Sequence, residues 1–249
     1  MPLNILWTGG WDSTFRVLMS SIVEERDVVP HYVIGFGRKS SLHELRAIAE
    51  IRNRLQKIDA RAANRIEKLR LTPINEIGHL PEVTAAYERF ASQAPLGIQY
   101  EWLARYASEA KVNDLELSIH RDDRAYAFLM GNVKANAEGT YKLRGASKDH
   151  SIVFGNFSFP LLETSKIEMK AAAETHDFIS VLEASWFCHR PLGKQPCGIC
   201  GPCIFTVEEG MAYRLPESSL SRYYRAKRKR RISATLKSLR NSIGFVRNK

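Results

Sequence analysis

Apolar residues at the start of the chain change rhythm twice within forty positions. A short apolar run over residues 4–7 enters Thr8-Gly9-Gly10-Trp11-Asp12-Ser13-Thr14, after which Phe15, Val17, Leu18 and Ile22 recur at helical spacing. That order predicts strand, loop, helix. Residues 28–36, β-branched and aromatic, predict a second strand, and the amphipathic stretch 42–71, led by Leu45, Ile48, Ala49 and Ile51, predicts a long helix. Helices are expected over 81–94 and 98–110, flanking Pro95-Leu96-Gly97, and a strand over 114–119, where polar and apolar residues alternate. Residues 141–159, rich in Gly, Ser and Asn, read as loop or hairpin; 165–175 as a helix; 178–182 as a short strand; and 185–203 as an irregular knuckle. Such alternation calls for an α/β fold, a doubly wound parallel sheet with ligand at the carboxyl ends of its strands.

Composition agrees with a globular chain: 44% of the 249 residues are hydrophobic and 26% charged. No apolar run approaches the roughly 18–20 residues of a membrane helix, and the first eight residues lack a signal-peptide layout, so a cytoplasmic protein without a transmembrane segment is expected. The net charge of +10 suggests a nucleic-acid binder until it is mapped. Residues 222–249 hold 11 Lys or Arg and no acid, leaving 26 basic against 27 acidic residues elsewhere. The basicity belongs to a tail on a near-neutral body.

A strand that stops at Gly9-Gly10 and restarts as a helix at Asp12-Ser13-Thr14 gathers unpaired N–H groups and the positive helix end at one point, which suits an anion. The glycines permit close approach, and Thr8, Ser13 and Thr14 offer hydroxyls to phosphate oxygens. No Lys follows in the Walker arrangement, which argues against an ordinary P-loop hydrolase. Asp12 either orients the loop or holds magnesium; a helix cap within a purely structural turn is the plainer reading.

The string T-G-G-x-D-S-T at the first strand–helix junction resembles the S-G-G-x-D-S-[ST] fingerprint of the PP-loop ATP pyrophosphatases, with the adenine nucleotide alpha hydrolase-like fold, Thr8 standing for the usual Ser. The resemblance implies that Thr8, Gly9, Gly10, Trp11, Asp12, Ser13 and Thr14 bind ATP with Mg2+, and that a substrate is adenylated with release of pyrophosphate. Adenylation makes an oxygen a good leaving group, so positioned phosphates and neutralised charge suffice, and no nucleophilic side chain is demanded.

All four cysteines fall within sixteen residues, Cys188, Cys197, Cys200 and Cys203, spaced C-x8-C-x2-C-x2-C. Four thiolates close a tetrahedral site, and structural zinc is the first reading. An iron–sulfur cluster is the rival, and free or disulfide thiols the third choice. His189 is a candidate substitute ligand, otherwise a surface residue.

The two motifs together resemble the 7-cyano-7-deazaguanine synthase family, zinc-containing ligases of queuosine biosynthesis. Phe159-Pro160, Ser165-Lys166-Ile167-Glu168-Met169 and Ser185-Trp186-Phe187-Cys188 look like that family's Pro, [ST]-K-x-E-[ILM] helix start and approach to the first Cys, in order. The middle departs: the P-G-R-N and D-x-x-Y-P-D-C-R blocks are absent, and Leu80-Pro81-Glu82 and His120-Arg121-Asp122-Asp123-Arg124 occupy the region. The resemblance implies a cytoplasmic homodimer using ATP, Mg2+ and Zn2+. It would adenylate the carboxylate of 7-carboxy-7-deazaguanine or a related small molecule, with ammonia giving an amide and then a nitrile. Asp12 and Lys166 are the implied catalytic residues, Lys166 as a phosphate-facing cation.

Asp122 and Asp123 are candidates for magnesium or a base edge, with an exposed acidic turn as the alternative, and His120 is ambiguous. Trp7, Trp11 and Trp102 are candidates to stack a purine-like ring, with core packing as the alternative. In the tail, 225–231 carry six Lys or Arg, and Ile232, Leu236, Leu239 and Ile243 recur at helical spacing with Lys237 and Arg240 between. A basic amphipathic helix contacting RNA, anionic lipid or an acidic partner is one reading; a helix packed by its apolar stripe is the other. The expected organisation is an ATP-binding domain over 1–184, a zinc knuckle and following helix over 185–215, and a basic tail over 216–249. Two further functions compete: a PP-loop enzyme adenylating a tRNA base, and a nucleotide fold kept as a binding module for another acceptor or partner protein.

Overall fold

The computed structural model describes residues 1–35, 37–93, 96–145 and 147–246, with side chains as far as residue 233. Phe36, Ala94 and Pro95, and the side chains of Leu236, Lys237, Leu239, Arg240 and Ile243, lie outside the described residues. The chain forms two compact units, Met1–Trp186 and Phe187–Lys249.

In the first unit β1 (Leu3–Leu6) leads through α1 (Trp11–Leu18) and a π-helical turn (Met19–Val23) to β2 (Val28–Ile34). The chain continues through α2 (Ser41–Ile58) and α3 (Ala60–Asn64) to β3 (Arg70–Pro73), then through α4 (Pro81–Gln93) and α5 (Gln99–Glu109) to β4 (Leu115–Glu116). There follow α6 (Tyr126–Leu129), β5 (Val133–Ala135), β6 (Tyr141–Leu143), α7 (Lys148–Phe154), β7 (Phe157–Phe159), α8 (Lys166–Thr175) and α9 (Ile179–Leu182). The sheet has seven strands in the order β3-β2-β1-β4-β7-β6-β5. From β3 to β7 neighbouring strands are parallel, and β6 and β5 add an antiparallel edge. The expected parallel sheet is therefore mixed.

Successive strand residues face opposite ways, which sorts the helices. Tyr32 Oη donates to Glu44 of α2 at 2.7 Å, whereas His31 next to it meets Tyr106 of α5 at 2.6 Å. On β4, Glu116 takes Arg16 of α1, whereas Leu115 joins the main core with Phe90 of α4, Leu103 of α5 and Phe154 of α7. Helices α1 and α2 cover one face; α4, α5 and α7 cover the other. Trp7 and Trp11 are buried and Trp102 packs against the core, so all three serve packing.

Several local readings are corrected. The helix expected over 42–71 stops at Ile58, because Asp59 turns extended and caps α3 through Ala62 N; Leu71 then lies in an edge strand, half exposed. The strand over 114–119 pairs only at Leu115–Glu116, although Leu117 N still donates to Ser158 O at 2.9 Å. Of the two readings of 141–159, the loop is corrected and the hairpin holds in part: β6 pairs antiparallel with β7, but α7, capped by Ser147, lies between them, and the buried Phe157 and Phe159 put β7 inside the sheet. The strand over 178–182 is a helical turn, since Phe178, Val181 and Leu182 bury one face at i, i+3, i+4.

In the second unit an irregular segment carrying the cysteines leads into α10 (Gly201–Glu208) and, after a 3-10 turn (Ala212–Arg214), α11 (Glu217–Val246). Among the described residues no helix is long and apolar enough to cross a membrane.

Candidate functional site

The loop after β1 is shaped by one tight contact. Gly9 has φ +68°, and a Cβ there would lie 2.7 Å from the Glu44 carbonyl oxygen and 3.1 Å from Ile48, so only glycine lets the loop lie against α2. Gly10 then caps α1 from an extended conformation, with no side chain bonded to the first turn. A helix start without a side-chain cap, next to two glycines, suits an anion. Within the loop, Thr8 and Ser13 hydroxyls lie 3.1 Å apart, and Thr8 N donates to Ser13 Oγ. Thr14 is fully buried, its hydroxyl accepting from Trp7 Nε1 at 3.0 Å, and Trp11 is buried too. These two residues support the loop from beneath, Ser13 is buried with its hydroxyl on Thr8, and Thr8, Gly10 and Asp12 are partly exposed.

Strand order reverses between β1 and β4, and an open α/β sheet leaves its crevice there, outside the carboxyl ends of the strands. Three buried side-chain oxygens have no hydrogen-bond partner among the described residues: Asp12 Oδ1 in the first turn of α1, Ser40 Oγ on the loop after β2 and Ser118 Oγ on the loop after β4. Buried oxygens are ordinarily satisfied, so three without a partner beyond the carboxyl ends of the central strands make this edge the candidate site. Buried His120 joins them, its Nε2 3.7 Å from Asp12 Oδ2 and its Nδ1 accepting from Asp122 N at 3.2 Å. Asp122 is exposed, and Asp123 Oδ1 accepts from Ala125 N, which fits the acidic-turn reading.

Lys166 opens α8, half-buried, behind a capping box of Ser165 and Glu168. Arg121 N donates to Thr164 O at 3.2 Å, which sets the start of α8 beside the loop after β4. Trp186 also borders the site. Its N–H donates to Gly9 O at 2.7 Å, and its ring stacks on His43 with centroids 4.6 Å apart and 20° between planes. Ser40, Ser118 and His43 belong to no motif, and only their positions just beyond strand ends give them meaning; Trp186 lies in the Ser185-Trp186-Phe187-Cys188 string, which did not show that it borders the Gly-Gly loop.

In the second unit the four cysteine sulfurs lie within 4.8 Å of one another, three of the four residues buried. Separations are 3.5 Å for Cys200–Cys203, 3.8 Å for Cys188–Cys200 and 3.9 Å for Cys197–Cys203. Thiolates about 2.3 Å from one tetrahedral ion stand about 3.8 Å apart, so the set fits a single zinc ion. A disulfide needs about 2.05 Å, and all four residues are free. Amides of Cys197, Ile199 and Cys200 donate to Cys188 and Cys197 sulfurs, as thiolate charge requires. Hydrogen bonding among the sulfurs holds Cys200 below the ordinary thiol range and pushes Cys188 and Cys203 above it. His189 is exposed and outside the cluster. Gly198, φ +80°, closes the turn where a Cβ would meet Ser219 O at 2.1 Å. No protein-family model and no curated protein matches the chain.

Proposed function

We propose that Met1–Trp186 is a PP-loop nucleotide-binding unit that adenylates a small carboxylate and releases pyrophosphate, and that the four cysteines hold structural zinc. The observation that carries this reading is the set of orphaned oxygens, Asp12 Oδ1, Ser40 Oγ and Ser118 Oγ, at the carboxyl end of the sheet around an uncapped helix start. Amides of the first turn of α1 and the Thr8 and Ser13 hydroxyls bind phosphate oxygens, and Asp12 supplies the carboxylate oxygen that magnesium needs. When bound, the magnesium nucleotide supplies an electrophilic α-phosphate. The chain's own part is to align the acceptor carboxylate with it and to balance phosphate charge through Lys166 and Arg121. The Trp186–His43 pair offers a flat face to a purine ring. The resemblance names 7-carboxy-7-deazaguanine as acceptor: ammonia displaces AMP from the adenylated carboxylate to give the amide, and a second ATP adenylates the amide oxygen, which leaves with AMP to give the nitrile.

The test is pyrophosphate release by the purified chain with ATP, Mg2+ and ammonium, comparing 7-carboxy-7-deazaguanine, no acceptor and bulk tRNA, with mass spectrometry of products. Acceptor-dependent pyrophosphate and a nitrile are expected, lost in Asp12→Asn. Pyrophosphate driven by tRNA alone would move the proposal to base adenylation, and ATP binding with no turnover to a binding module.

A further inference from the structure

Helix α11 begins with its root clamped to the cysteine knuckle. Arg222 Nε donates to Cys197 O at 2.8 Å and its Nη2 to Pro196 O at 3.2 Å; Ser219 Oγ donates to Pro196 O at 2.5 Å; and Gly198 lies against the Ser219 carbonyl. Tyr223, buried, reaches Glu208 of α10 at 3.4 Å. Beyond this root Arg225, Lys227, Arg228, Lys229, Arg230 and Arg231 are all exposed, and the chain from 222 to 249 contains no acid to neutralise them.

At 3.6 residues per turn, positions 225–231 circle the helix almost twice, so cations project on every side and leave no apolar face there for a lipid surface. Four of the six are Arg, whose planar fork suits phosphate oxygens. A helical rod of charge whose root is clamped to the cysteine knuckle matches a phosphodiester backbone. We infer that Phe187–Lys249 is a nucleic-acid-binding module, in which the four-cysteine knuckle fixes the root of α11 and residues 225–231 grip backbone phosphates without reading base sequence. This is independent of the nucleotide reading, and its failure would leave the ATP proposal untouched.

The experiment is equilibrium binding of the full metal-loaded chain to bulk tRNA, to duplex DNA and to vesicles of phosphatidylcholine with phosphatidylserine, across roughly 50–200 mM salt. Six phosphate contacts predict a log–log salt slope of about −4 to −5, near 10³-fold weakening over that range, and little dependence on sequence. The variant R228Q/K229Q/R230Q should flatten the slope by about 3 while retaining helicity and metal content. Cys200→Ser, which loosens the root without touching a cation, should weaken binding at every salt concentration. A salt-insensitive interaction, full binding by the triple variant, or vesicle retention without nucleic-acid binding overturns the inference, the last in favour of a membrane surface.

Discussion

The amide of Trp186 donates to the carbonyl of Gly9 at 2.7 Å, tying the last residue of the first unit to the loop that follows its first strand. The contact fixes Gly9 in its left-handed conformation against α2. Gly9→Ala therefore forces both φ +68° and a 2.7 Å approach to the Glu44 carbonyl. We expect a loss of about 1–3 kcal/mol in urea unfolding and a collapse of ATP affinity by equilibrium dialysis. Unchanged ATP affinity would remove the loop from the site.

Arg16 and Glu116 form a buried pair, with Nε–Oε2 at 2.6 Å and Nη2–Oε1 at 3.0 Å, and side chains 7% and 4% exposed. Glu24 also contacts Arg16. Removing one partner strands the other charge inside the sheet–helix layer. Glu116→Gln is expected to lower stability by about 3–5 kcal/mol, read by chemical denaturation, and the double change Arg16→Met with Glu116→Leu should recover most of it. A double variant no better than the single one would contradict the pair's role.

Buried His31, held between Tyr106 Oη and Asn4 Oδ1, has its pKa pushed down to about 4 by burial and then by Arg70. Between that value and the unfolded value of about 6.5, the unfolded chain binds a proton that the folded one refuses, so stability falls as pH falls. From about pH 6.5 to 5 this contributes about 2 kcal/mol of loss. His31→Gln should flatten the profile over that interval; an identical slope in the variant would assign the effect elsewhere.

Metal analysis of the purified chain is expected to give one zinc per chain and no iron–sulfur cluster, because sulfurs 3.5–3.9 Å apart suit a single tetrahedral ion. Chelation, or Cys200→Ser, should melt the second unit, since α11 is anchored to Cys197 and Pro196 carbonyls. Limited proteolysis would then cut within 187–249 while leaving the first unit intact.

The Gly9-Gly10 loop was legible because its chemistry is local: a strand stop, two glycines and a helix start lie within about ten residues. The cysteine set was legible for the same reason, four ligands in sixteen positions. Ser40 and Ser118 were not, since a serine beyond a strand has no signature until neighbouring strands bring the loops to one edge. Burial likewise reassigned Trp7 and Trp11 from candidate stacking surfaces to core, and Arg222 from a tail charge to a clamp on the knuckle.

Sequence periodicity by itself determined the βα alternation at the N-terminal end, the helices around 81–110 and 165–175, the cysteine spacing and the confinement of positive charge to the C-terminal segment, all properties of residues close in the chain. Tertiary structure alone decided that Phe157–Phe159 is a strand inside the sheet, that Phe178 to Leu182 curls into a helix, that β5 and β6 turn the edge antiparallel, and that buried oxygens of Asp12, Ser40 and Ser118 have no partner among the described residues. Strand pairing and burial join residues far apart in sequence, and short segments take the conformation that their neighbours' hydrogen bonds and apolar faces demand.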